Sequence, residues 1–347
     1  MDGISNAARH IRTALRELSF PVVWYQCVDR GQDSRIAEMD RVVPGLGVPN
    51  ETADMGVNRL WVFPFRLRHA PEDIVLLMDP TLINVARSHP RTVIRVFDLK
   101  PLTAQADRRA ASWMFRYALP RLRSVPRVLV PTNYLARVLS AQGVAPDRIR
   151  VIPETQSLGY HPDHIATAVE RIRRTGIVRV LYVATDRPPK NLALAIRLAQ
   201  MASQTMDHPS IHFTLVSRLR PESKALVARL DLPNLTVIPQ VPSMAEIYRA
   251  SDVLIFPSRH EGFGLPIIEA MAFGMPVVSS NVDPLPEVVG DGGTLLDPLV
   301  PAPWIESLQR LSDASVYEAA ARRSYSRGEN FTPERFRGAV SRAFEGM

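Results

Sequence analysis

The feature that most constrains this chain is the run RHEGFGLPIIEAMAFGMPVVSS at 259–280, in which Glu261 and Glu269 stand eight residues apart. The letters DVLIFP just before the run are typical of a buried parallel strand, and PVVSS at its end is typical of the next strand. Pro266 stands where a helix would begin, and Gly274 stands just past its end. The pattern therefore predicts a strand–loop–helix–strand unit whose glycine-rich loop and helix N-terminus can hold a phosphate.

Glu269 is the residue of this run that points to chemistry. Its neighbours along the helix are apolar, so the helix is expected to be buried on most sides, and an unpartnered carboxylate there is costly. One interpretation is a structural cap or an ion pair with an arginine. The other is an acceptor for a vicinal diol such as a ribose. Glu261, in a loop that faces the strand ends, suits a second polyol, and the two glutamates together favour the functional interpretation.

This segment resembles the donor-binding signature of the retaining glycosyltransferases of family four, in which a glutamate, a GFG turn and a second glutamate follow at this spacing. The similarity is strongest over 178–297. The resemblance implies that Glu261 is a catalytic-site residue that binds hydroxyls of the donor sugar and that Glu269 binds the ribose of the nucleotide. It also implies that backbone N–H groups face the sugar and diphosphate at Gly262, Phe263, Gly264 and Leu265.

A second loop, ATDRPPKN from Ala184, follows a predicted strand and opens a helix. It resembles the family's lysine-containing loop, which implies that Lys190 reaches the diphosphate as a catalytic residue. The family usually has an arginine five residues before this lysine, where Thr185 stands here. We expect Arg187, close by, to substitute for it in donor binding. Base recognition is expected from main-chain groups near 239–241.

The first half of the chain carries weaker signals. The stretch VFDLKPL at 96–102 resembles the family's cleft segment, which implies a catalytic role for Asp98, although Phe97 occupies the usual histidine position. A loop cap is the equally open alternative for Asp98. Gly3, in a start that resembles the family's glycine loop and first helix, is expected to let the backbone approach a donor or acceptor phosphate. The family's strand ahead of that loop does not precede Gly3 here.

Composition narrows the class of protein. A chain of 347 residues with 46% hydrophobic content is expected to form two domains. No apolar run reaches the roughly 18 residues of a membrane span. The lone Cys27 excludes an internal disulfide and favours a reducing compartment. The formal charge is +7, and the stretch 105–127 is rich in arginine with interleaved aromatics. That stretch is either a solvated helix face or a surface for anionic lipid headgroups or a phosphate-bearing acceptor.

Strand-like segments at 22–27, 60–65 and 73–78, and from 92, 127, 148, 178, 212 and 235, alternate with helix-like segments, which indicates an α/β protein with parallel sheets. The resemblance implies the GT-B fold, in which two Rossmann-like parallel-sheet domains face a central cleft. We expect an acceptor-side domain over 1–165, a nucleotide-sugar-binding domain over 176–328, and a terminal segment over 329–347 whose helix packs back towards the first domain. The polar stretch 159–176 is interpreted as the boundary between the two domains.

The resemblance therefore predicts a retaining, metal-independent glycosyltransferase that moves a sugar from a nucleotide diphosphate sugar, with UDP- or GDP-linked donors favoured, to a hydroxyl acceptor. No cofactor, metal or nucleic acid is expected. The acceptor is expected to be a glycan, a lipid-linked saccharide or a small molecule, and the location cytoplasmic, with peripheral contact to the cytoplasmic face of an anionic membrane as an open option. The alternative is a catalytically silent GT-B subunit that binds or scaffolds a partner. An epimerase or phosphorylase on the same fold is less favoured.

Overall fold

The computed structural model describes residues 3–20, 25–28, 41–44, 73–88, 91–98, 116–204 and 211–347. The chain divides into two compact units, one of residues 1–154 and 336–347 and the other of residues 155–335. Each unit is built on a parallel sheet flanked by helices, so the prediction of two parallel-sheet α/β domains is confirmed.

The described strands, in chain order, are β1 (Tyr25–Val28), β2 (Arg41–Pro44), β3 (Val75–Leu77), β4 (Thr92–Arg95), β5 (Arg127–Val130), β6 (Ile149–Val151), β7 (Val178–Val183), β8 (Ile211–Val216), β9 (Leu235–Ile238), β10 (Val253–Phe256), β11 (Val277–Ser280) and β12 (Gly293–Leu296). The described helices are α1 (Gly3–Glu17), α2 (Ile83–Ser88), α3 (Asn133–Ala141), α4 (Asp163–Thr175), α5 (Leu192–Gln204), α6 (Pro221–Leu230), α7 (Met244–Arg249), α8 (Leu265–Ala272), α9 (Leu285–Val289), α10 (Pro301–Arg310), α11 (Ala314–Gly328) and α12 (Pro333–Phe344).

In the first unit, β3, β4, β5 and β6 form a parallel sheet in that order, and β1 pairs with β2 in a separate parallel pair. Strands β4 and β5 are almost wholly buried, as their largely apolar sequences predict. Helices α1 and α12 share one core with the sheet, through Ile11 and Leu15 on α1 and Phe336 and Val340 on α12. The two ends of the sequence are thereby packed together in this unit.

Part of the arginine-rich stretch 105–127 is described. Residues 105–115 lie outside the described residues, and the following segment Leu119–Ser124 is a 3₁₀ helix. Arg123 donates to the carbonyl of Gln142 at 2.8 Å, and Arg127 donates to the carbonyl of Ala343 at 2.5 Å. These guanidinium groups therefore bind the protein's own backbone instead of forming an unpartnered basic face.

In the second unit, six parallel strands lie in the order β12-β11-β10-β7-β8-β9 among the described residues. The core on one side of the sheet includes buried side chains of α4, α5, α10 and α11, and the core on the other side includes those of α7, α8 and α9. No helix of the part of the chain that the structure describes is long and apolar enough to cross a bilayer.

The strands expected from 73 onward are present, each within a few residues of the expected ends. The strand expected at 22–27 is observed as β1, and the one expected at 60–65 lies outside the described residues. The first helix begins at Gly3 itself, where a glycine turn was expected. Strand β12 was not predicted, because its four residues begin with glycine and show no alternation.

The two compact units meet in the sequence a few residues before the predicted domain boundary. The stretch 159–176 was interpreted as an inter-domain segment, but the division by contacts falls after Glu154, and α4 is a helix of the second unit. Its polar composition obscured a narrow apolar stripe at i, i+3, i+4 and i+7, formed by Ile165, Ala168, Val169 and Ile172, which are buried against the second sheet. The helix ends at Gly176, whose φ of 65° is left-handed.

A buried carboxylate connects α4 to this sheet. The fully buried Asp252, which precedes β10, accepts from the backbone N–H of Arg179 at 2.8 Å and pairs with its guanidinium at 3.2 Å. Arg171 of α4 makes a second ion pair with the same carboxylate. The hydroxyl of the buried Tyr317 donates to the Asp252 carbonyl at 3.0 Å. One acidic side chain therefore joins β7, β10 and α4.

We expect Asp252→Asn to lower the free energy of unfolding by about 3 kcal/mol, because it leaves two guanidinium groups facing a neutral amide in a desolvated site. Chemical denaturation measures the change. The control is Asp291→Asn at an exposed carboxylate, expected to stay within about 0.5 kcal/mol of the parent. Equal losses in the two variants would show that the Asp252 ion pairs do not stabilise the unit.

Candidate functional site

The order of the six-stranded sheet creates a switch point between β7 and β10. The chain runs from β7 outward through β8 and β9, then returns to place β10 on the other side of β7. The loops after β7 and β10 leave the same edge of the sheet in adjacent positions. In open parallel sheets, ligands bind outside the carboxyl ends of the strands at such a point.

The two loops at the switch point carry the predicted site residues Lys190 and Glu261, and the structure brings them together. Lys190 Nζ donates to Glu261 Oε1 at 2.6 Å, with side chains 28% and 9% exposed. The loops are also joined through their backbones, since the N–H of Arg259 donates to the carbonyl of Pro189 at 2.7 Å. The hydroxyl of the buried Tyr182 donates to the Lys190 carbonyl at 3.2 Å. The pair is therefore held by both loops and remains partly open to solvent.

The glycine-rich turn after Glu261 adopts a conformation that requires glycine. Gly264 caps α8 with φ of 105° and ψ of 58°, a left-handed backbone. A Cβ there would lie 3.0 Å from Ile267 Cδ1 and 3.2 Å from Leu285 Cδ2. The turn leads directly into α8, whose second residue is Pro266. The structure thus places a helix N-terminus beside the Lys190–Glu261 pair.

The backbone N–H groups of the turn have no acceptor in the described part of the protein. Among the hydrogen bonds of the described residues, none is donated by the backbone N–H of the four residues expected to face the donor, Gly262, Phe263, Gly264 and Leu265. Consecutive unpaired N–H groups at a helix N-terminus are suited to binding an anion. The Phe263 side chain is buried edge-on against Phe331 at 5.8 Å, so this residue presents only its backbone.

Two positive-φ glycines of the second unit offer a matched comparison. We expect Gly264→Ala to lower the free energy of unfolding by about 3 kcal/mol, because it combines left-handed strain with close contacts in the core. Gly176→Ala has a similar φ sign, but its Cβ would meet nothing within 4 Å, so we expect a loss of about 1 kcal/mol. Thermal and chemical unfolding measure both, and equal losses would show that packing at Gly264 does not restrict the turn.

Glu269 lies on α8 among buried apolar residues, as the sequence predicted, and keeps part of its side chain exposed. The hydroxyl of Tyr248 on α7 donates to Glu269 Oε2 at 2.6 Å. Burial raises the pKa of Glu269, and this hydrogen bond opposes the rise. The pKa of Tyr248 is raised well above its usual range, mainly by burial and to a lesser extent by the nearby Glu269 carboxylate, so the phenol keeps its proton and donates. Sequence reasoning missed Tyr248, although a tyrosine in a helix just before a buried strand is expected to need a partner for its hydroxyl.

Two models of protein families match the chain. The model described as "Glycosyltransferase Family 4" matches residues 1–155, and the model described as "Glycosyl transferases group 1" matches residues 177–314. This chain belongs to glycosyltransferase family four. The resemblance drawn from the two glutamates and the GFG turn is thereby confirmed.

Curated relatives match only parts of the chain. O-antigen chain mannosyltransferase B of Escherichia coli is 48% identical over 89 residues, which cover 25% of this chain and 23% of that protein. D-inositol 3-phosphate glycosyltransferase of Acidothermus cellulolyticus is 35% identical over 199 residues, which cover 52% of this chain and 44% of that protein. The chain thus spans less than half the length of these two relatives.

Solved structures of low sequence identity match the whole chain. The structure of Anabaena Alr3699/HepE in complex with UDP and glucose has a TM-score of 0.75 at 14% identity, covering 100% of this chain and 96% of that one. WaaG, a glycosyltransferase involved in lipopolysaccharide biosynthesis, has a TM-score of 0.71 at 17% identity, covering 100% and 97%. These matches confirm the predicted GT-B fold.

The family's usual arginine has no direct counterpart in the loop after β7. Thr185 and Arg187 are both exposed, and Arg187 precedes the 3₁₀ turn that carries Lys190. Between them, Asp186 is buried and accepts from the backbone N–H of Arg220 at 2.8 Å, which joins this loop to the one after β8. Burial acts to raise the pKa of Asp186, but the Arg220 N–H and its other hydrogen bonds outweigh it, so the net shift is downward. Arg187 thus lies in the predicted loop, and its role in donor binding stays a prediction.

Two further predicted residues, Asp98 and Gly3, belong to the first unit. Asp98 follows β4 at the carboxyl edge of the four-stranded sheet and is half-buried. Phe97 lies beneath the guanidinium of the fully buried Arg95, 5.2 Å from its ring centre, and Arg95 forms a buried ion pair with Glu154. Gly3 is the first residue of α1. The roles predicted for Asp98 and Gly3 remain predictions.

Proposed function

We propose that the chain is a retaining glycosyltransferase that moves a sugar from a nucleotide diphosphate sugar to a hydroxyl acceptor. The observation that carries the proposal is the union, at the β7–β10 switch point, of Lys190 and Glu261 with a turn of unpaired N–H groups. An ammonium, a carboxylate and an anion-binding turn are the groups that a sugar linked to a diphosphate requires.

In this proposal the three parts of the donor meet different groups. The Glu269 carboxylate, on a half-buried residue, accepts from the ribose hydroxyls, and Glu261 accepts from hydroxyls of the sugar. The diphosphate lies against the N–H groups of the turn that begins at Gly262. Lys190 has three N–H donors, of which Glu261 takes one, so the ammonium can bind a phosphate oxygen while the ion pair persists.

The proposed chemistry is a front-face displacement with retention. The bond between the anomeric carbon and the diphosphate oxygen breaks, the acceptor oxygen bonds to the same face of that carbon, and the departing oxygen takes the acceptor's proton. Lys190 and the N-terminus of α8 stabilise the negative charge that develops on the diphosphate, which leaves no step that calls for a metal ion. The protein then contributes positioning and charge stabilisation.

For the acceptor, we propose a hydroxyl compound that reaches the carboxyl edge of the four-stranded sheet, where Asp98 stands after β4. The relatives named as O-antigen mannosyltransferase and inositol phosphate glycosyltransferase support saccharide or phosphate-bearing acceptors as the first classes to assay. Vesicles of anionic and neutral lipid belong in the same screen, because the role of the stretch 105–127 at a membrane stays a prediction.

The first test is calorimetric titration of the chain with UDP, GDP and ADP. We expect one of the three to bind, and we expect Glu269→Ala to weaken that binding at least about tenfold, because carboxylate–hydroxyl hydrogen bonds to the ribose are lost. Glu222→Ala, at an exposed carboxylate on α6, is the control and should bind as the parent does. Unchanged affinity in Glu269→Ala would contradict the ribose assignment, and no binding by the parent would contradict the donor site.

Turnover separates the enzyme from the silent-subunit alternative. We expect release of the nucleoside diphosphate from its sugar donor, and we expect Lys190→Ala to lower kcat about a hundredfold by removing a charge beside the leaving group. Lys224→Ala, at an exposed lysine on α6, is the matched control. NMR of the product anomer tests retention. Donor binding without any release across the acceptor screen would favour the silent subunit.

A further inference from the structure

We propose that Tyr248 is a positioning residue for the nucleotide ribose, which orients the Glu269 carboxylate from behind without touching the ligand. The inference rests on the proposed function, because it requires Glu269 to bind a ribose. It goes beyond that function by assigning a role to a residue outside the two glutamates, the lysine loop and the turn.

The two oxygens of the Glu269 carboxylate have different surroundings. Tyr248 donates its hydroxyl to Oε2 at 2.6 Å, a short contact typical of a hydrogen bond to an ionised acceptor. Within the described residues, no other hydrogen bond or ion pair to Glu269 is present. Because the side chain is partly exposed, Oε1 remains for a ligand's hydroxyl. The single bond to Oε2 thus leaves Oε1 as the carboxylate oxygen without a partner among the described residues.

Tyr248 is itself held rigidly and cannot reach a ligand. Its side chain is 0% exposed. Its ring stacks on that of Phe273 with centroids 5.5 Å apart and an interplanar angle of 24°. Helix α7, which carries it, is capped by Ser243, whose side chain accepts from the N–H of Glu246. A rigid phenol on a capped helix fixes the direction of the hydrogen bond.

The hydrogen bond from Tyr248 offsets part of the free-energy cost of burying the Glu269 carboxylate. Apolar neighbours on α8 desolvate Glu269 and so favour its neutral form, which would make it a poorer acceptor for a diol. The Tyr248 hydroxyl favours the ionised form and one orientation of the side chain. Without it, Glu269 would lose both the charge stabilisation and the fixed rotamer, and ribose hydroxyls would meet a disordered acceptor.

The test compares two forms of whichever nucleoside diphosphate among UDP, GDP and ADP the parent binds. One form carries the ribose, and the other is the 2′,3′-dideoxy analogue, which lacks both hydroxyls. We expect Tyr248→Phe to raise the dissociation constant of the ribose form about tenfold and to leave that of the dideoxy form unchanged. The matched control is Tyr317→Phe, another fully buried tyrosine with a hydrogen-bonded hydroxyl, whose substitution should change neither constant.

A second variant addresses the case in which Tyr248→Phe does not fold. Glu269→Asp keeps Tyr248 in place but shortens the acidic side chain by one methylene group, which moves the carboxylate away from the Tyr248 hydroxyl. This variant should lose the same preference for ribose over dideoxyribose. Equal loss for both nucleotide forms in Tyr248→Phe would mean that Tyr248 only packs, and the inference would fall. No loss in that variant, or a retained preference in Glu269→Asp, would overturn it as well.

The experiment distinguishes this inference from the function beneath it. If the parent prefers ribose over dideoxyribose and Tyr248→Phe keeps that preference, the donor site stands and only the positioning role is wrong. If the parent binds none of the three diphosphates, the proposed function fails and this inference fails with it.

Discussion

The site of the second unit depends on the place of β10 in its sheet. A chain that continued outward from β9 would have left the loop after β7 without a partner loop. Because β10 returns to the far side of β7, the loops after these strands are adjacent, and Lys190 meets Glu261 although they are 71 residues apart. Right-handed crossovers put helices on both faces and keep the carboxyl edge open. The chemistry of the site is therefore a consequence of strand order before it is a consequence of any single side chain.

Helix α8 shows how a buried helix can carry a charged group. The residues of α8 are apolar on nearly every side and pack against β10 and β11. The same packing desolvates Glu269, the one carboxylate on the helix. The left-handed Gly264 lets the chain turn tightly enough for the helix to start at the sheet edge. The phenol of Tyr248 then offsets part of the desolvation of Glu269. The carboxylate is retained in an apolar setting because it accepts a hydrogen bond from a fully buried tyrosine that packing holds in place.

The fold could be predicted from local patterns, since continuous apolar strands, a proline at a helix start and a glycine at its end act over a few residues. The glycine-rich turn and the helix that carries Glu269 were predicted for the same reason, whereas the roles of both glutamates rest on the family resemblance. Contacts between distant residues were not predicted, because periodicity contains no information on strand order. Tyr248 precedes Glu269 by 21 residues, on another helix, and could not be assigned to it. Helix α4 was interpreted as an inter-domain segment because its four buried apolar residues alternate with charged and polar ones.

The charges at the switch point favour a particular kind of ligand. The positive charge of Lys190 is already balanced by Glu261, and Glu269 adds a further acidic group. Side chains at this point therefore attract a bare anion only weakly, and attraction to a phosphate would come mainly from the unpaired N–H groups of the turn, the dipole of α8 and the remaining N–H donors of Lys190. Hydroxyl groups change that balance, because each one gives a carboxylate a donor. In the proposed function, a diphosphate flanked by a ribose and a sugar would satisfy both glutamates, whereas free phosphate would satisfy neither.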